Sequence, residues 1–136
     1  MKRLFDTLFT LAQDHNEGIR TSVVAAIVNR KTIVSFGFNQ RKTHPLQAKY
    51  AKNEHAIFLH AEIDAIRKAL KRGADLTKCD LYIMRAKHTG PKFGDPVVCA
   101  LARPCSGCQR CIGDMGFRNV YYSTENSTRF TQFYPN

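Results

Sequence analysis

The run 60-HAEIDAIRKALKR-72 decides the fold class. Ala61, Ile63, Ala65, Ile66, Ala69 and Leu70 give it apolar faces among good helix formers, and Gly73 follows as a stop. A helix is therefore expected from His60 to about Arg72. Upstream, Ser22–Val28 (SVVAAIV) and Thr32–Phe38 (TIVSFGF) are rich in β-branched residues, and Asn29-Arg30-Lys31 between them predicts a hairpin. Further upstream, Leu4, Phe5, Leu8, Leu11 and Ala12 form an amphipathic helical stripe over residues 2–14, with Asn16 and Gly18 ending it. Downstream, Cys79–Ala86 (CDLYIMRA) and Val97–Ala102 read as strands, residues 105–115 as a helix stopped by Gly116, and Asn119–Ser123 as a last short strand. Residues 39–58 read as a long polar loop with at most a helical turn, and 87–96 (KHTGPKFGDP) as a turn-rich loop. The order α-β-β-α-β-β-α-β predicts an α/β layered domain, a mixed sheet with helices on its faces. At 136 residues, the whole of 1–136 is expected to be a single domain.

Composition narrows the class further. An apolar fraction of 43% with 24% charged residues is that of a globular chain and not a disordered one. No stretch approaches the ~20 apolar residues of a membrane span, and the basic N-terminus lacks a signal-peptide pattern, so no membrane partner and a cytoplasmic location are expected. The 21 basic residues against 11 acidic ones give a net charge of +10, which favours phosphate-bearing partners and is equally compatible with a solvated basic face. Without a secretion signal, the five cysteines argue against a disulfide framework. Cys105, Cys108 and Cys111 cluster within seven residues, which points to a metal or to catalysis.

His60-Ala61-Glu62 opens one expected helix, and Pro104-Cys105-Ser106-Gly107-Cys108 opens another. An H-x-E followed by a P-C-x-x-C is the signature of zinc-dependent nucleobase deaminases, and its logic is physical. His60, Cys105 and Cys108 as three ligands leave the fourth position of Zn²⁺ for water, which is the catalytic arrangement. Two thiolates and a neutral imidazole make the site neutral overall. Cys105 and Cys108 lie in a first helical turn, where the dipole and free N–H groups favour thiolate. Glu62 lies about 160° round an ideal helix from His60, so for both to serve one centre the chain must bend at His60. In that geometry Glu62 is the proton shuttle and not a ligand. Two alternatives accompany this reading: a structural zinc site with Cys111 as fourth ligand, and buried cysteines without metal. Cys111 is read as a core residue, because the three cysteines drift around the helix.

With these residues in place, the sequence resembles the cytidine/deoxycytidylate deaminase superfamily from about Ser22 to Ser123. The likeness is carried by AAIV with SFGFNQ, by HAEIDAI, by ARPCSGCQRCI and by MGFRNVYYS. The resemblance implies a three-layer α/β/α sandwich with a mixed central sheet, hydrolytic deamination through zinc-activated water, and a homo-oligomer. It also assigns substrate contacts to Asn39 and to the backbone at Ala61. Many relatives carry a Thr or Ser two or three residues before the Pro-Cys pair, where the run here is Ala100-Leu101-Ala102-Arg103; the unusual Arg103 can meet a phosphate, or pair with Asp95 or Asp114.

The expected substrate is a cytosine nucleotide (dCMP to dUMP type) or a nucleoside, with Arg41, Lys42, Lys49 and Lys52 as phosphate contacts or as a solvated loop. His44 and His55 are read as ordinary loop histidines. The alternative is a polynucleotide deaminase acting on tRNA adenosine or single-stranded cytosine. There Tyr121, Tyr122, Arg129, Phe130, Phe133 and Tyr134 would stack bases, unless Phe130 and Phe133 belong to a C-terminal helix docked on the sheet. A third reading is a non-enzymatic binding module that retains the zinc site, against which Glu62 argues.

Overall fold

The computed structural model describes residues 2–15, 21–50, 58–89 and 96–134. Helix α1 (Lys2–Asp14) leads into the hairpin of β1 (Thr21–Asn29) and β2 (Thr32–Phe38). The expected stop at Asn16 and Gly18 lies outside the described residues. Arg30 closes the hairpin turn with φ +59°. The polar stretch that follows holds one helical turn, α2 (Pro45–Lys49), begun by Pro45 and by His44, whose Nδ1 accepts the Leu46 N–H at 3.1 Å. Helix α3 runs Ala61–Lys71 with His60 just before it, and Gly73 leaves it at φ +76°.

A 3-10 turn at Leu76–Lys78 leads into β3 (Asp80–His88), followed by β4 (Val97–Ala100), α4 (Ser106–Met115), β5 (Asn119–Tyr122) and β6 (Thr131–Phe133). None of the described helices is long and apolar enough to cross a membrane.

The sheet order is β2-β1-β3-β5-β6, with β4 also on β3. Antiparallel pairings join β2 to β1, β1 to β3, β4 to β3 and β6 to β5, while β5 runs parallel to β3. Strand β3 therefore changes partners along one edge: Asp80–Ile83 face β5 and Arg85–His88 face β4. Buried Ser123 stitches this switch. Its amide donates to the Ile83 carbonyl, and its hydroxyl accepts from the Arg85 amide at 3.0 Å and donates to the Ala100 carbonyl at 2.7 Å. The Ala102 amide in turn donates to the Ser123 carbonyl, which is why β4 ends at Ala100 and not at the expected Ala102.

Period-two alternation along the strands separates two cores. On one face, Val24, Ala26, Tyr82 and Met84 pack against Phe5, Leu8 and Ala12 of α1. On the other, Ala25, Ile27, Leu81 and Ile83 pack against Ala61, Ile63, Ala65 and Ile66 of α3 and Cys108, Cys111 and Ile112 of α4. The result is the expected three-layer α/β/α sandwich.

The tail corrects one expectation. Phe130 and Phe133 do not form a C-terminal helix; Phe133 sits in β6 and Phe130 packs its ring 5.0 Å from that of Phe5. Three residues of strand are too short to leave a readable period.

Candidate active site

Two helix N-termini converge at the end of the sheet where β3 finishes. His60 is extended (φ −82°, ψ 155°) immediately before α3, so the chain bends there as the H-x-E spacing requires. Cys105 occupies the equivalent place before α4 (φ −68°, ψ 169°), and Cys108 lies in that helix's first turn. His60 Nδ1 is 3.2 Å from Cys108 Sγ and 3.7 Å from Cys105 Sγ. One donor atom from each of the three residues lies within 4.8 Å of the others.

A tetrahedral zinc with Zn–S near 2.3 Å and Zn–N near 2.0–2.1 Å requires donor separations of about 3.6–3.8 Å. The His60–Cys105 spacing falls in that range and the His60–Cys108 spacing lies a few tenths of an ångström below it, so the residues fit the ion. Cys111 is not in this donor group; it is wholly buried in the core, where burial lifts its thiol to about 11.

The two thiols polarise one another in opposite directions. Hydrogen bonds from Cys108 and His60 hold the Cys105 thiol down at about 3, while the bond to Cys105 and burial push Cys108 upward. His60 is raised, first by its hydrogen bond to Cys105 and then by the charge of Glu62. Glu62 is buried, with a side-chain hydrogen bond to Cys108, and burial raises its carboxyl above the ordinary range. All five cysteines are free thiols.

Close packing holds these helices in place. A Cβ on Gly37 of β2 would lie 2.1 Å from the Ala61 carbonyl oxygen and 2.3 Å from the Ala65 nitrogen, so only glycine admits α3 at this distance. Gly107 of α4 has the same role against α2, where a Cβ would meet the Tyr50 carbonyl oxygen at 2.3 Å. Arg110 Nη2 donates to that carbonyl at 2.9 Å, and the Tyr50 hydroxyl donates to Asp114 at 2.6 Å.

Two buried polar side chains escaped the sequence reading. Gln47 Oε1 accepts the His60 N–H at 3.0 Å and so fixes the start of α3. Asp64 is fully buried and accepts from the Phe38 amide (3.0 Å) and Gln40 Nε2 (3.1 Å), with Arg67 and Lys68 paired to it. It ties the end of β2 to α3. Asp64 sits in a helix whose apolar faces were legible, but nothing local marks its carboxylate as buried.

The expected substrate contacts have varied surroundings. Asn39 extends the β1–β2 ladder with its side chain: Oδ1 accepts the Val23 N–H at 2.9 Å, and its own carbonyl lies 2.8 Å from His15 Nε2. Ala61 is wholly buried beside Gly37. Arg103 is exposed next to the donor cluster, with its guanidinium 5.6 Å from the Phe133 ring centre. Its other expected partner, Asp114, is bonded to Tyr50, and Asp95 lies outside the described residues. Arg41, Lys42 and Lys49 are exposed, while Lys52 and His55 lie outside the described residues.

The family of cytidine and deoxycytidylate deaminases, in its zinc-binding region, matches residues 1–124. The chain belongs to this family. Zn²⁺ is the cofactor that the family and the His/Cys/Cys donors specify. Among solved structures, the apo form of the dCMP deaminase of cyanophage S-TIM5 is similar, with 23% identity over 93% of this chain and 85% of that one, and a TM-score of 0.57. The same enzyme in complex with dCMP and dUMP matches at 22% identity over 89% and 78% of the two chains, with a TM-score of 0.55. These likenesses establish the shared fold. No curated protein sequence matches the chain.

Proposed function

We propose that this protein hydrolyses the exocyclic amine of a cytosine nucleotide, dCMP to dUMP in type, with cytidine or deoxycytidine as lesser substrates. The observation that carries the reading is a buried glutamate, Glu62, packed against a three-donor group, His60, Cys105 and Cys108. A three-donor set leaves one tetrahedral position for a reactant, whereas a structural zinc site normally takes four protein ligands. Zinc held there would supply Lewis acidity, making water a nucleophile at neutral pH.

The chain's own residues do the rest. Burial raises Glu62, so its carboxylate can take a proton from the attacking water, give it to the ring nitrogen and then assist the departing amine. Ammonia and the uracil product balance the cytosine and water consumed. Gln47 and Asp64 set where Glu62 stands by holding α3 at His60 and at β2. Asn39, whose Oδ1 accepts the Val23 N–H at the end of β2, is the residue we assign to contact the substrate's sugar or base. The Ala61 backbone and Arg103 border the base and the outer part of the site.

The similarity to a dCMP deaminase supports a free nucleotide as substrate. So does the packing of the tail: Tyr121 stacks on Tyr82, Phe130 meets Phe5 edge-on, and Phe133 is buried, which engages three of the rings that a polynucleotide reading would use and leaves Tyr134 exposed. A homo-oligomer in a reducing cytoplasm, where the thiol donors stay available, completes the proposal.

The test is ammonia release from dCMP, deoxycytidine and a cytosine oligonucleotide by the zinc-loaded protein. Preferred turnover of dCMP is expected. Turnover of the oligonucleotide alone would overturn the free-nucleotide reading.

A further inference from the structure

Arg85 stands in a place that the catalytic residues leave unexplained. It follows Leu81 and Ile83 on the face of β3 that packs under α3 and α4, so its side chain leaves the sheet on the side that carries the donor cluster. Across the ladder it pairs with Val23 on one side and with Ala100 on the other. Val23 is the residue whose amide Asn39 holds, so Asn39, Val23 and Arg85 form one row across three strands. Strands are spaced about 4.8 Å apart, which puts Arg85 about 10 Å from Asn39, the scale of an extended mononucleotide. On its other flank, Nη1 reaches the Leu101 carbonyl at 3.3 Å, at the start of the segment that runs into Pro104 and Cys105.

The guanidinium is also underused. Among the described residues its Nε is buried without a hydrogen-bond partner, and the one hydrogen bond given for its side chain, from Nη1 to the Leu101 carbonyl, is long. A buried donor left unmatched is destabilising, which a protein sustains more readily where a ligand supplies the acceptor. Arg85 lines a cavity of about 530 Å³ with Lys87, His88, Thr89, Glu125 and Asn126. Lys87 is paired to Glu125 at 3.3 Å, so its charge is already matched within the cavity wall.

We propose that Arg85 binds the terminal phosphate of the nucleotide, and that it is the residue by which the site distinguishes a nucleoside monophosphate from a nucleoside. This rests on the cytosine-nucleotide reading above and adds to it the group that recognises the phosphate. A planar guanidinium is a fork that suits two oxygens of a phosphate dianion. Because Arg85 is half-buried at the end of the sheet, it suits a phosphate that enters end-on better than a diester backbone running across the surface.

The experiment measures kcat/KM for dCMP, deoxycytidine and a cytosine oligonucleotide in wild type, Arg85→Gln and Arg85→Lys, with dUMP binding followed by phosphorus NMR. The glutamine variant is expected to lose about 10- to 100-fold on dCMP, chiefly through KM, and to change less than twofold on deoxycytidine. The lysine variant, which keeps the charge and loses the fork, should show a smaller loss of the same selectivity. It carries the test if the glutamine variant melts early.

An equal loss on dCMP and deoxycytidine, or none on dCMP, overturns the assignment. So does a loss on the oligonucleotide as large as that on dCMP. If wild type deaminates neither dCMP nor deoxycytidine, the cytosine-nucleotide reading fails by itself. The dUMP titration then decides on Arg85: binding weakened tenfold or more in the glutamine variant supports it, and unchanged binding overturns it.

Discussion

The two faces of the sheet are packed with different materials. Towards α1 the core is bulky and aromatic: Phe5, Tyr82 and Phe130 meet with ring centres about 5 Å apart, and Tyr121 stacks on Tyr82. Towards α3 and α4 it is largely aliphatic, with Ile27, Ile63, Ile66, Leu81, Ile83 and Ile112 interleaved with Ala25, Ala61, Ala65, Ala69 and Ala102, and with Gln47, Glu62 and Asp64 buried nearby. Small residues let backbones approach closely, as Gly37 does with Ala61, and the close approach brings two helix N-termini to one point. The aromatic face stabilises the sheet, and the aliphatic face, with alanine and glycine at its closest helix contacts, also aims chemistry. Lesions of similar thermodynamic size should therefore have unlike consequences for turnover.

The largest effect belongs to the donor set. Cys108→Ser should leave the chain with much less than one equivalent of zinc and lower dCMP turnover by more than about 10³-fold, as metal analysis beside an ammonia assay would reveal. Retained zinc at wild-type affinity would place the metal elsewhere.

Gly37→Ala comes next. The added methyl meets backbone and not a flexible side chain, so α3 must shift away from β2. A stability loss of about 1–3 kcal/mol by denaturant melt is expected, with kcat down by about 10- to 100-fold, because a shift near 1 Å moves Glu62 relative to His60.

Leu8→Ala, on the other face, is expected to cost as much or more, about 2–5 kcal/mol, since Leu8 is fully buried under α1. Yet kcat/KM of the folded fraction should stay within about twofold of wild type. If Leu8→Ala depressed turnover as strongly as Gly37→Ala, the separation of the two faces would be lost.

The same contrast explains what was legible in the sequence. Elements that bury a long apolar stripe announce themselves, and α1, α3, β1 and β2 fall within a residue or two of their expected ends. The ligands and Glu62 were legible because a bend before each helix can be inferred from H-x-E and P-C-x-x-C. Short or non-local features were not. Strand β6 has three residues, and α2 is a single turn whose importance lies in Gln47, 13 residues from the amide it holds. Asp64 looks like any helix-surface aspartate until β2 is folded over it and supplies the Phe38 amide. Such partners are fixed by tertiary packing, which leaves no periodic trace in the chain.

The account turns on Glu62 as a proton carrier beside a metal it does not bind. Glu62→Gln preserves the shape and removes the proton site, so zinc content and dCMP turnover should be measured together on that variant. The expected result is one zinc per chain with ammonia release reduced by at least about 10²–10⁴-fold. Wild-type turnover with zinc in place would contradict the mechanism.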